Sequence, residues 1–283
     1  MLSTRREFML ASGAVVAGLA ATRPLFAEPA DEFGGFTLGM QSYTFRKFSL
    51  EQALKKTNEL GLKYVEFYNG HVPITNDENK IKAVKKLCDE YGITPVAFGV
   101  EGFTKDHDAN KKKFEFGKAL GIKTLSADPT PDSFDSLDKL VEEYKISIGI
   151  HPHGPSGRAL HRWYSAEIIM KAVKDHHPLI GTCLDTGHLI RAAQMGKMLD
   201  PAAEVRVMGA RNFGIHLKDH DNKQKHDVVI GQGVLNVPEL LKALREVKFG
   251  GNISIEYEYH EDNPSPDVKE CVAVFKESVK KLA

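Results

Sequence analysis

ISIGIH at residues 146–151, IGTCLD at 180–185, RNFGIHL at 211–217 and NISIEYE at 252–258 decide the reading of this chain. Each is a short apolar run, rich in β-branched residues, that ends in or near a metal-type ligand: His151, Asp185, His216 or Glu256. Runs of this length and composition read as buried strands. The ligands stand 34, 31 and 40 positions apart, which leaves room for one strand and one helix each time. That interval is the period of a β/α repeat, and a barrel gathers the C-terminal ends of its parallel strands around one opening. Two imidazoles and two carboxylates then converge, a set suited to a borderline divalent cation.

The rest of the chain keeps the alternation. Thr37–Ser42, Lys63–Phe67, Thr94–Val100 and Lys123–Ala127 read as four earlier strands, and the late runs complete eight. Helices are expected from the Ser49 cap to Leu60, over Asn79–Tyr91, from about Asn110 to Leu120, and over Ser133–Tyr144. Leu60-Gly61, Tyr91-Gly92 and Leu120-Gly121 each put a glycine where a left-handed turn returns the chain to the next strand. The fold class is therefore α/β, a single (β/α)8 barrel of the TIM type over residues 28–283. The segment 218–236 reads as one long irregular stretch, as lids and binding loops do.

Lys plus Arg and Asp plus Glu balance at 38 each, which points to neither nucleic acid nor an anionic membrane surface. The 42% hydrophobic content is ample for one large core. No segment after residue 27 is apolar enough to span a bilayer or anchor the chain stably. Residues 1–27 read differently. Thr4-Arg5-Arg6-Glu7-Phe8-Met9 matches a twin-arginine export signal, Leu10–Ala21 is mildly apolar, and Pro24-Leu25-Phe26-Ala27 offers a cleavage point. The export machinery is thus an expected partner, and a periplasmic or other extracytoplasmic location in a bacterium the expected destination. Cys88, Cys183 and Cys271 are an odd, scattered set and make no disulfide framework.

Asp185 ends a buried strand before Thr186-Gly187-His188, so it reads as a ligand at the barrel mouth or as a helix N-cap. His216 alone would read as a core histidine, but Asp185 one strand earlier favours a ligand. An unpaired carboxylate at Glu256 would cost several kcal/mol, so a cation must neutralise it. Around them, Glu66, His153 and Arg158 are expected to contact substrate, and Glu256, Glu258, Lys218 and His188 to serve catalysis. His71 and His260 are weaker loop candidates, and His176-His177 reads as structural.

The blocks Asp185-Thr186-Gly187-His188, Ile215-His216-Leu217-Lys218-Asp219, Gly231-Gln232-Gly233 and Gly251-Asn252-Ile253-Ser254-Ile255-Glu256-Tyr257-Glu258 resemble the xylose isomerase-like superfamily. Within it they are most similar to the sugar phosphate isomerase/epimerase branch, over nearly the whole mature chain. The resemblance implies a TIM barrel holding one divalent metal through Glu, Asp, His and Glu of four successive strands. The last three fall on Asp185, His216 and Glu256. At the first place this chain has His151, with His153 two residues on as the other imidazole able to fill it. A metal-bound imidazole has its lone pair engaged and does not also shuttle a proton. That departure counts against epimerisation by two symmetric glutamates.

The expected chemistry is proton abstraction beside a carbonyl, with the metal stabilising an enediolate. Two nitrogen donors favour Mn2+, Co2+, Fe2+ or Zn2+ over Mg2+. Export and the weak phosphate signal of Gly231-Gln232-Gly233 point to a non-phosphorylated carbohydrate. Isomerase or epimerase is the first expectation, and a lyase expelling the aglycone of a 3-keto-glycoside through the same enolate the alternative. A non-catalytic sugar-binding barrel is the third, although Trp163 and a few tyrosines are few aromatic platforms for a receptor. Barrels of this kind are often dimers or tetramers, and the sequence leaves the oligomeric state, a homo-oligomer included, open.

Overall fold

A computed structural model describes residues 31–282 of the chain. The twin-arginine segment and its cleavage point lie outside the described residues.

Eight parallel strands close into a barrel: β1 (Thr37–Gln41), β2 (Tyr64–Phe67), β3 (Thr94–Phe103), β4 (Thr124–Pro129), β5 (Ser147–Ile150), β6 (Ile180–Asp185), β7 (Asn212–Leu217) and β10 (Asn252–Ile255). The short antiparallel strands β8 (Asp219–Asp221) and β9 (His226–Val228) form a hairpin after β7. β1 pairs with both β2 and β10, which seals the ring. Outside it run α1 (Leu50–Glu59), α2 (Glu78–Glu90), α3 (His107–Leu120), α4 (Phe134–Tyr144), α5 (Ala166–Val173), α6 (Thr186–Arg191), α7 (Pro201–Met208), α8 (Val237–Glu246) and α9 (Ser265–Lys280). None of the described helices is long and apolar enough to cross a membrane.

Local chemistry sets the helix ends. Ser49 and Gln52 form a reciprocal capping box at α1, and Asp77 and Asp106 accept amide hydrogen bonds at α2 and α3. The Asp106 cap starts α3 three residues before the expected Asn110. Gly61, Gly92 and Gly121 take φ of +76°, +62° and +90°, the left-handed region that only glycine enters freely. One apolar cluster joins β1, β6, β7 and β10 to α8 and α9, and another joins β2–β5 to α2–α5.

Register then places the site. Asp185 pairs with His216 across β6 and β7, and His216 with Ser254 across β7 and β10. Glu256 follows directly after β10, and His151 directly after β5. β10 stops at Ile255 and does not run on to Glu258 as expected. The stretch 218–236 is also more ordered than its polarity suggests, since it contains the β8–β9 hairpin and a tightly bonded loop.

Candidate metal centre

Asp185 caps a helix and also faces the other three candidate ligands. Its Oδ1 accepts from the His188 amide at 2.6 Å and caps α6. Its Oδ2 is shut from solvent without a well-formed hydrogen bond, 3.4 Å from His151 Nε2. His151 Nε2 lies 2.9 Å from His216 Nδ1, and that same nitrogen lies 3.1 Å from Glu256 Oε2. One donor atom from each of the four residues lies within 4.8 Å of the others. All four side chains are buried.

Donors about 2.0–2.2 Å from one ion stand about 3–4 Å apart. The separations of 2.9, 3.1, 3.4 and 4.0 Å among His151, His216, Asp185 and Glu256 suit that spacing. Asp185 Oδ2, buried without a well-formed hydrogen bond, is the atom with most to gain from such a partner. The residues present fit a divalent cation. His151 would bind it through Nε2 and His216 through Nδ1.

Glu66 was expected at the mouth, in reach of a sugar hydroxyl. The structure corrects this: the carboxylate is fully buried in the barrel interior. There it accepts hydrogen bonds from Ser126 (2.5 Å), Ser254 (2.9 Å) and Asn252 (3.2 Å) and sits 3.0 Å from His216 Nε2. Burial opposes ionisation, but His216 and these donors outweigh it and hold Glu66 below the usual carboxylate range. For His216, burial disfavours charge, yet Cys183, Glu66 and Glu256 together hold the ring well above the ordinary histidine value. A carboxylate behind a ligating imidazole fixes its orientation and basicity. Glu66→Gln is therefore expected to weaken Mn2+ or Co2+ binding about 10- to 100-fold by calorimetric titration. An affinity within about twofold of wild type would remove Glu66 from that role.

Lys218 is buried despite its charge. Its Nζ lies 3.0 Å from Glu256 Oε2 and 3.3 Å from Asp185 Oδ2, and it pairs with Glu258. Burial would lower its pKa, but Asp185, Glu256 and Glu258 reverse the sign and keep it charged. Thr186 Oγ1 accepts from the Lys218 amide and donates to its carbonyl, and a Cβ on Gly187 would lie 2.6 Å from the Lys218 stem. The Thr-Gly after Asp185 thus makes room for a buried lysine. The Glu258 amide donates to Asp227 Oδ2, and its side chain is 35% exposed.

Imidazoles fill the opposite side. His153 packs edge-on against His151 and against His161. Burial, with His151 and His161 adding to it, pushes its pKa down to about 3. His188 lies 3.9 Å from Asp185 Oδ2, and burial holds it well below the ordinary value. Arg158 is exposed in the turn bridged by Ser156 and Ala159, and among the described residues it has no hydrogen bond or ion pair to the centre. His71 bonds the Phe48 carbonyl, His260 pairs with Asp267, and His176 and His177 pair with Asp138 and Glu142. Trp163 is buried under the Pro129 carbonyl and offers no platform.

Asp219 went unassigned in the sequence reading. Its buried carboxylate accepts from the amides of His220, Gly231, Gly233, Val234 and Leu235 at 2.8–3.1 Å. The Gly231-Gln232-Gly233 amides that could have bound a phosphate are already taken.

Among known proteins, the chain is 32% identical to an uncharacterised protein of Methanocaldococcus jannaschii over 132 residues. That match covers 44% of this chain and 42% of the relative, so the chain spans about two-fifths of its length. A protein described as D-tagatose 3-epimerase-like superposes with TM-score 0.67 at 21% identity, covering 88% of this chain and 100% of that one. The 3-keto-D-glucoside 4-epimerase of E. coli, in its apo form, superposes with TM-score 0.66 at 15% identity, covering 86% and 99%. At these identities the two structures speak for the fold. The family model described as xylose isomerase-like TIM barrel matches residues 54–278, and the chain belongs to that family.

Proposed function

We propose that this chain is a divalent-metal-dependent sugar isomerase or epimerase that removes a proton beside the carbonyl of a non-phosphorylated carbohydrate. The observation that carries this reading is the convergence of His151, Asp185, His216 and Glu256, with Lys218 against Asp185 and Glu256 and Glu258 paired to Lys218. A Mn2+, Co2+, Fe2+ or Zn2+ ion held there would supply Lewis acidity toward the carbonyl and a neighbouring hydroxyl. Glu258 is the group placed to move the proton, because it alone of the nearby carboxylates stays partly open to the mouth. Lys218 is the donor toward the oxygen that gains negative charge as the proton leaves. Its charge is already compensated by three carboxylates, so it needs little reorganisation.

The absence of a phosphate on the substrate is supported by Asp219, which occupies the loop amides. It is supported too by the twin-arginine pattern Thr4–Met9, which belongs with an extracytoplasmic location.

One observation favours the lyase as a second reading. The ends of β5 and β6 offer His151, His153 and His188, while Glu256 and Glu258 both follow β10. Epimerisation needs a proton delivered to the opposite face of the carbon, whereas expulsion of an aglycone from a 3-keto-glycoside does not.

Solvent deuterium uptake tests both. With Mn2+ or Co2+ added, a ketose or 3-keto-glucoside is expected to take up deuterium at the carbon beside its carbonyl. Chelation is expected to abolish the exchange and added metal to restore it. Release of the aglycone, read by NMR, separates lyase from isomerase or epimerase. Sugar binding without exchange in metal-loaded protein would leave a non-catalytic sugar-binding barrel.

A further inference from the structure

We infer that the substrate carries a carboxylate, which Arg191 and Lys225 receive in a pocket beside Glu258. The inference deepens the proton-abstraction reading, since it names the substrate class of the same site. The pocket has a volume of about 420 Å3 and is lined by Arg191, Lys225, His220, Asp227, Glu258 and Tyr259, among others.

Its two acids are held by groups other than its two cations. Asp227 already accepts from the Glu258 amide and pairs with His220 Nδ1 at 3.1 Å, and Glu258 pairs with Lys218. Both acids of the pocket are therefore engaged. Among the described residues, neither Arg191 nor Lys225 has a carboxylate within ion-pair distance. Arg191 spends one N–H on His188 Nδ1 at 3.3 Å, while its Nε is shut from solvent and has no hydrogen-bond partner. A guanidinium has five N–H donors in a planar fork, and a buried donor left unpaired is costly. The terminal N–H donors that His188 leaves free can still give a carboxylate two such bonds in parallel.

Place explains why the fork is held ready. Arg191 ends α6, the helix that Asp185 caps, and Gly154 lies against it. A Cβ at Gly154 would come 3.2 Å from Arg191 Nε. Lys225 stands at the turn of the β8–β9 hairpin, exposed and on the other rim. A sugar bound at the centre with its acid group toward α6 meets both cations. Phosphate is the other anion of comparable size, but the loop amides that would share its charge belong to Asp219.

Calorimetry on Mn2+-loaded full chain tests the assignment with D-glucuronate, D-glucose and D-glucose 6-phosphate. Glucuronate is expected to bind about tenfold or more tightly than glucose, a preference that weakens with added salt. Arg191→Gln is expected to erase the ratio. Lys225→Gln, on an exposed turn that carries no packing, is expected to reduce it. Equal binding of acid and neutral sugar, tighter binding of the phosphate, or an undiminished ratio in both variants would overturn the inference. Proton exchange with neutral ketoses and no preference for the acid leaves the reaction standing without this pocket. Preference for the acid with no exchange does the reverse.

Discussion

Glu258→Gln is expected to slow α-proton exchange about 10³-fold while metal content and folding stay as they are. The carboxylate lies at the partly open rim and is absent from the four donors that converge on the cation position. Its only ion-pair partner among the described residues is Lys218, which keeps Asp185 and Glu256 when Glu258 is neutralised. Glutamine preserves the shape and the contact but cannot accept the proton. Glu256→Gln makes the necessary contrast. Glu256 contacts His216 Nδ1 and Lys218 Nζ, and its carboxyl is held below the usual range by Lys218 and His216 against the opposing effect of burial. Its loss is expected to lower both metal content and exchange. Metal analysis beside the exchange rate separates the two, because supplying excess Mn2+ should rescue part of Glu256→Gln and none of Glu258→Gln. A Glu258→Gln protein that exchanges at the wild-type rate would move the base elsewhere, with His188 or His153 next in line.

What could be read in the chain, and what could not, follows from how far apart the partners lie. β6 falls on Ile180–Asp185 as expected, because its composition and its Asp-Thr-Gly ending are local signals. Asp185, His216 and Glu256 were legible for the same reason: each closes an apolar run, and barrel geometry brings strand ends together. Glu66, like His216, sits one residue before the end of its strand, but that strand has only four residues and a register shift between Val65 and Glu66. Its true partners, Ser126, Asn252, Ser254 and His216, come from strands far along the sequence, so nothing local told interior from mouth. Arg158 lies exposed in the polar loop after β5, and a polar loop there shows that a residue is near the opening but not which way it points. The hairpin within 218–236 escaped notice because its strands are three residues each, too short for alternation to register.

That same stretch carries the largest expected loss of stability. Asp219→Asn removes one carboxylate oxygen and puts an amide NH2 in its place. Oδ2 accepts from Gly231 and Gly233, and Oδ1 from His220, Val234 and Leu235, so either orientation of the amide turns at least two backbone donors against a donor. Bonds to a charged acceptor contribute roughly 1.5–3 kcal/mol each, and donors left unpaired in the interior add their own cost. A loss of about 3 kcal/mol or more follows, roughly 6–12 °C in Tm for a domain of this size. The same packing admits only glycine at 233, because a Cβ there would lie 2.5 Å from Asp219 Oδ1. The damage is not confined to stability. Asp219 is bonded in chain to Lys218, whose backbone is pinned on one side by Thr186 and on the other by this loop. Exchange is therefore expected to fall even where the variant is fully folded, at a temperature well below its midpoint. A variant within about 0.5 kcal/mol of wild type in urea unfolding would mean that water satisfies those amides and that the loop owes its shape to something other than Asp219.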